Sequence, residues 1–256
     1  MTTVTRSSIL VPVIARRTGN THFMADKIIS LFGANLISLL PMTESSGTTA
    51  VDASGNGRNG TYSNVTLSNS LGPDGAHNAP LFVPGSSSYV DWYSASLATA
   101  FTGTEGTFLI WLKVSAAAIW TNAVNYYMAY LYTDASNYML IRKDSGGANV
   151  IRDYQAAGTR EVASHINISG TTWQLWGCSW SDTGDEVQTW QNDAALGAAA
   201  TGVGTWSGAL GANTTLIGAN AKTGNTPWSG WMSHAMLINR AITVGELGQV
   251  YAFGNP

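Results

Sequence analysis

The chain has 256 residues, long for an average domain but within the span of a single β-sandwich, and enough to bury a two-sheet core. Charged residues make up only 11%, well under the roughly 25% of ordinary soluble domains, so Ser, Thr, Asn, Gln and Gly must carry the polar surface. A net charge of −3 is too small to steer the chain onto nucleic acid or membrane, no apolar run approaches the ~18 residues of a membrane span, and a lone cysteine, Cys178, excludes an intrachain disulfide.

Residues 1–22 read as an extended arm. Residues 1–30 carry a net +3, leaving −6 on the rest of the chain. Ile9, Val11, Val13 and Ile14 suit a strand added to a neighbour, and Arg6, Arg16 and Arg17 make the arm basic. A docking arm and a solvated tail are both open readings. The apolar run 9–15 is interrupted by Pro12 and followed by Arg16 and Arg17, the wrong order for a signal peptide. The expectation is therefore a soluble protein made in a cytoplasm, with no visible secretory signal.

Residues 23–35 hold a short helix, with Ile28, Leu31 and Phe32 on one face and Gly33 as its stop. From residue 36 the apolar period changes to two. Strands are expected at 36–40, 89–92, 107–114, 126–132, 138–142, 150–154, 173–180, 186–191, 215–217 and 231–238, each bounded by Gly, Asn, Asp or Ser. In 173–180, Trp176, Cys178 and Trp180 share the bulkier, core-facing side, which makes Cys178 a buried apolar residue rather than a reactive thiol. Both faces of 107–114 are apolar, as in a central strand covered on each side. A late helix over 244–253 places Val244, Leu247, Val250 and Tyr251 together. The fold class is all-β: a two-sheet antiparallel jelly-roll sandwich over 36–256, preceded by the short helix and the arm.

Five segments in order carry a family resemblance: LISLLPMTESSGTTAVDASGNGRNGTY (36–62), SSSYVDW (86–92), GTFLIWLKV (106–114), TWQLWGCSWSDTGDEVQTWQND (172–193) and WSGWMSHAMLINRAITVGELGQVY (228–251). Together they resemble the laminin G-like, concanavalin A-like lectin family. The lead-in KIISLFGANLISLLPMTE (27–44) resembles that of phage tail and virion proteins carrying such a domain. The resemblance implies a structural Ca²⁺ near the Asp-x-Ser-Gly-Asn-Gly turn. Asp52, Ser54 and Asn56, followed by Gly57, have the alternating oxygens and the sharp turn that a hard cation needs. Where the family commonly offers an acidic residue, this chain has Ser233 and His234. The alternative is that Asp52 and Asn56 make side-chain turns around glycines.

Sugar binding needs exposed aromatic rings beside hydrogen-bonding groups. The loop candidates are Trp120 with Asn122 and Asn125, Tyr126 and Tyr127, Trp206, and Trp228 with Asn225. Trp111, Trp173, Trp176 and Trp180 are expected in the core. The nearest cluster of carboxylates, Asp182, Asp185 and Glu186, sits in a hairpin turn and not along one strand, which argues against glycan hydrolysis. The four histidines are scattered, and no nucleophile elbow, phosphate loop or cysteine-pair zinc motif occurs.

These readings lead to a non-enzymatic surface protein of a virus particle. It would dock to capsid or tail proteins through Arg6, Ile9, Val11, Val13, Arg16 and Arg17, with host surface glycans and further copies of itself as additional expected partners. A free carbohydrate-binding lectin is the first alternative, and a glycan hydrolase the second.

Overall fold

The computed structural model describes residues 23–223 and 226–255. Helix α1 (Phe23–Phe32) ends where Gly33 adopts a φ of +52° and the chain tightens into a 3-10 turn, Gly33–Asn35. Strands β1 (Leu36–Leu40), β2 (Thr49–Ala50), β3 (Gly60–Ser63), β4 (Thr66–Leu71), β5 (Asn78–Phe82) and β6 (Tyr89–Asp91) precede helix α2 (Ala95–Ala100). The long strand β7 (Glu105–Val114) is followed by a single-turn helix, α3 (Ala118–Thr121). A four-strand meander comes next: β8 (Tyr126–Asp134), β9 (Asn137–Lys143), β10 (Val150–Ala156) and β11 (Thr159–His165). The hairpin of β12 (Gln174–Ser181) and β13 (Glu186–Gln191) leads through β14 (Ala194–Ala195), β15 (Ala200–Thr201) and β16 (Leu216–Ile217) to β17 (Gly230–Ile238) and helix α4 (Val244–Phe253).

The strands form two antiparallel sheets. One has nine strands among the described residues, in the order β14-β13-β12-β7-β17-β5-β4, with β1 also on β17 and β15 on β13. The other has eight, in the order β11-β10-β9-β8-β16-β6-β3-β2. This is the expected jelly-roll sandwich. Its main core lies between the sheets, where Phe108, Ile110, Leu112 and Val114 of β7 meet Met128, Leu131, Met139, Ile141 and Tyr154 of the meander. Trp176, Cys178 and Trp180 point into the same core as expected. Burial pushes the Cys178 thiol up to about 12, so it stays protonated. Strands β12 and β7 approach closely at Gly177, where a Cβ would stand 2.1 Å from the Phe108 carbonyl oxygen.

A second core covers the outer face of the nine-stranded sheet. Leu109 and Trp111 of β7 pack there with Leu175, Met236 and Ile238 beneath Met24, Ile28 and Phe32 of α1 and Leu247 and Val250 of α4. Trp111 stacks on Tyr251 at 5.5 Å and 11°. Strand β7 is therefore apolar on both faces because both faces are covered. Val244, grouped with the buried side in the sequence, is 56% exposed: it is the first residue of α4, and the apolar stripe begins only at Leu247. Thr243 caps this helix in a reciprocal capping box with Glu246, which also holds Arg240.

Candidate functional site

Most of the aromatic residues expected in loops are core residues. Trp120 is 2% exposed, because the one-turn helix α3 directs it inward. Its indole N–H donates to the Gly170 carbonyl at 2.7 Å, and its ring meets Trp228 edge-on at 5.9 Å. Trp228 is wholly buried and donates to the Lys113 carbonyl. Trp206 is buried against Phe101 and donates to Thr133 Oγ1. Tyr126 is buried and its hydroxyl accepts from Asn122 Nδ2, while the Asn122 carbonyl and side-chain oxygens hold the buried Lys143 ammonium. Asn125 accepts from the Ser145 N–H. The reason is general: a ring this large gains more from burial than from exposure wherever its polar atom finds a partner. The opposite correction applies to Trp173, expected in the core, which is half-buried on the outside of the nine-stranded sheet. Asn225 and the arm residues Arg6, Ile9, Val11, Val13, Arg16 and Arg17 lie outside the described residues.

The turn proposed for a cation is filled by hydrogen-bond donors. Asp52 Oδ1 accepts from the N–H groups of Leu39 and Ser54, at 2.9 and 3.0 Å, and Oδ2 from that of Arg58 at 2.8 Å. Asn56 Nδ2 donates to the carbonyls of Leu36 and Ile37, and the Arg58 guanidinium also donates to Ile37. Both Asp52 oxygens thus already accept backbone N–H groups, Asn56 is engaged through its amide donors, and only one of the three candidate ligands is a carboxylate. The set does not fit a hard cation, which takes six to eight oxygens. Among the described residues no cluster of three or more His, Cys, Asp or Glu side chains could hold a metal. Ser233 and His234 sit at an irregularity of β17, where the Ser233 hydroxyl and the His234 N–H both bond the Pro41 carbonyl.

The aromatic surface lies elsewhere, on the outer face of the eight-stranded sheet. Alternation along β8 turns Ala129 and Leu131 inward and Tyr130 and Tyr132 outward. The register shifts between Tyr127 and Ala129, and this bulge brings Tyr127 to the same face. Tyr138 of β9 pairs directly with Tyr132. The rings of Tyr130 and Tyr132 stand 5.3 Å apart, and those of Tyr132 and Tyr138 stack at 6.1 Å and 25°. All three are half-buried: rigid, yet open on one side.

Polar groups frame the rings. The Tyr138 hydroxyl donates to Asp153 Oδ1 at 3.2 Å, and Arg160 clamps both oxygens of Asp153 at 2.9 and 2.5 Å. Gln155 lies between Tyr138 and Arg160 in the ladder. On the far side, Lys222 bonds Asp91 at 2.6 Å. Arg142, beside Tyr127, pairs with Asp144 at 3.2 Å. Burial, followed by the neighbouring tyrosines and Asp153, raises the Tyr130 hydroxyl above the ordinary phenol range. Burial and then Asp153 raise Tyr138 likewise. Both hydroxyls are neutral across the physiological range and can donate and accept. The surface is a flat aromatic patch whose bordering cations are each paired with a carboxylate. The sequence placed these tyrosines in strands but did not assign their face; the alternation of Tyr130 and Tyr132 was the available signal.

No protein-family model matches the chain, and a search of curated proteins found no match. Solved structures share the fold. The receptor-binding domain of botulinum neurotoxin mosaic serotype C/D is 11% identical with a TM-score of 0.63, over 85% of this chain and 50% of that one. Domain 4 of AbnA, a GH43 extracellular arabinanase from Geobacillus stearothermophilus solved with arabinotriose, is 12% identical with a TM-score of 0.58, over 85% of this chain and 98% of the domain. A Trypanosoma rangeli sialidase mutant is 12% identical with a TM-score of 0.63, over 87% of this chain but 34% of that one. This chain thus spans about half of the toxin domain and a third of the sialidase. At these identities the likeness establishes the two-sheet jelly-roll fold alone.

Proposed function

We propose that the protein is a non-catalytic carbohydrate-binding module that holds a neutral glycan on the tyrosine face of its eight-stranded sheet. The observation that carries this reading is the row Tyr130, Tyr132 and Tyr138, fixed by stacking and by the Tyr138–Asp153–Arg160 chain, and open to solvent on one side. The C–H face of a sugar ring stacks on such rings while its hydroxyls bond fixed polar groups, here the tyrosine hydroxyls, Gln155 and Arg160. Because Arg160, Arg142 and Lys222 are each already paired, the face suits uncharged sugars. The fold supports the reading by analogy: one similar domain was solved with arabinotriose.

Two observations favour binding without turnover. Asp182 and Asp185 lie in the β12–β13 turn, away from the tyrosines, and Asp182 accepts from Thr205. On the face itself, Asp153 is held by Arg160, so among the described residues no free pair of carboxylates stands beside the tyrosines for acid and base roles. The virus-particle setting rests on the arm and the family resemblance alone. A glycan array tests the proposal. Wild type should bind neutral glycans, and Tyr132→Ala should weaken that binding at least tenfold while remaining folded. An array without neutral hits, or one unchanged in the variant, would overturn it.

A further inference from the structure

The outer face of the nine-stranded sheet carries a second aromatic group, of different chemistry. Trp231 of β17 stands directly opposite Lys113 of β7 in the ladder. Trp173 precedes Gln174, which pairs with Leu112, so it flanks Lys113 from the other side. The three side chains form one row. The Lys113 ammonium lies 4.4 Å from the Trp231 ring centre and 5.4 Å from that of Trp173.

Edge strand β4 orders this row. Its register shifts between Thr66 and Ser70, and Ser68 within the irregularity has a φ of +51°. Three successive residues then each engage one member of the row. Asn69 Oδ1 accepts from the Trp231 indole at 2.9 Å, Ser70 Oγ from Lys113 at 3.2 Å, and the Leu71 carbonyl from the Trp173 indole at 3.0 Å. Both indole N–H groups are thereby fixed, which locks the ring planes. Trp173, Lys113 and Trp231 stay half-buried, and Asn69 is exposed.

Arg142, Arg160, Lys222 and Arg240 are each paired with a carboxylate, whereas Lys113, like the ring-stacked Lys27 and the carbonyl-bound Lys143, is not. Among the described residues no carboxylate lies within ion-pair distance of Lys113, whose partners are two ring faces and one hydroxyl. Burial pulls the Lys113 ammonium below the ordinary lysine range, as expected of a partly desolvated cation without a counter-charge. A carboxylate arriving there would form a charge-assisted hydrogen bond, stronger than the contacts to the rings that now serve the ammonium. The flanking indoles offer flat apolar surface, and the exposed Asn69 amide offers donors.

The geometry points to a second binding site, Lys113 with Trp173, Trp231, Ser70 and Asn69, for an acidic saccharide: a sugar ring bearing a carboxylate that pairs with Lys113 while its C–H face lies on an indole. This site lies on the opposite side of the sandwich from the tyrosines and stands without them.

Tryptophan fluorescence and calorimetric titration of the whole chain with trigalacturonate and with a trisaccharide of glucuronate test it, each against its carboxyl-reduced counterpart. Wild type should bind at least one uronate at least tenfold more tightly than the reduced sugar, and that preference should fall with added salt. Lys113→Met keeps the apolar stem and should abolish the preference, while a circular-dichroism spectrum and melting curve unchanged from wild type show that the variant is folded. Tyr132→Ala should bind uronate like wild type. A wild type with no preference for either uronate overturns the site, as does a Lys113→Met variant that keeps it. Loss in Tyr132→Ala with retention in Lys113→Met would overturn it too, by assigning the acidic sugar to the tyrosine face.

Discussion

The two outer faces of this sandwich solve the same packing problem differently. Behind the nine-stranded sheet, two helices cover Leu109, Trp111, Leu175 and Met236 and make a second core. Behind the eight-stranded sheet, the outward positions are instead held by tyrosines, whose hydroxyls tolerate water while their rings pack on one another. A face closed by helices contributes stability; a face kept flat, aromatic and half-open is available for a ligand. At the edge of the covered face, beyond the helices, Trp173 and Trp231 flank an unpaired cation. The faces thus differ in charge as well as in cover.

Substitutions can break this contrast. The largest effects belong to the cores. Trp176→Ala and Trp120→Ala should each lose ~3–5 kcal/mol, because both rings are buried and leave a cavity; chemical denaturation measures this, and a Trp120→Ala variant as stable as wild type would return that residue to the surface. Next comes the turn at Asp52. Asp52→Ala removes the acceptor of three backbone N–H groups and should cost about 3 kcal/mol. The melting temperatures of wild type and variant should each be the same with and without chelator; a chelator-sensitive wild type would show that a cation contributes after all. On the tyrosine face, Tyr132→Ala should cost only about 1 kcal/mol of stability while removing binding, the reverse of the core pattern.

The smallest effect concerns the cap of α4. The bidentate bond from Arg240 holds the Glu246 carboxyl down to about 2. A carboxyl depressed in the folded state stabilises it above the unfolded value of ~4.3, and that contribution is lost as pH falls toward the folded value. The pair is partly exposed, so the effect stays below about 1 kcal/mol. Glu246→Gln should therefore melt slightly below wild type at neutral pH, the difference closing between pH ~4 and ~2. A gap that persists at pH ~2 would mean that the cap acts without its charge.

Strands rich in aromatic and branched residues were legible because one or both of their faces are buried, which imposes period two or a continuous apolar run. The central strand β7 is the clearest case. Polar edge strands were not: β11 reads TREVASH and β4 reads TLSNSL, segments whose pairing is satisfied on one side only and whose side chains need not be apolar. Missing β4 hid the partners of Trp173 and Trp231. Trp120 was misread for a related reason: polar neighbours mark a loop, but a one-turn helix inside it can still aim a ring into the core. Tyr127 joins its face only through a bulge, and a bulge breaks the count by which faces are read. The turn at Asp52 was legible as a turn, but the hydrogen bonds that hold Asp52 and Asn56 could be read only once their partners had coordinates.

The most direct test of the account is a ring-labelled tyrosine NMR titration with the neutral glycan that binds best on the array. The account predicts shifts at Tyr130, Tyr132 and Tyr138, with the buried Tyr62 and Tyr154 unmoved. Saturable binding that leaves those three rings unperturbed would contradict it.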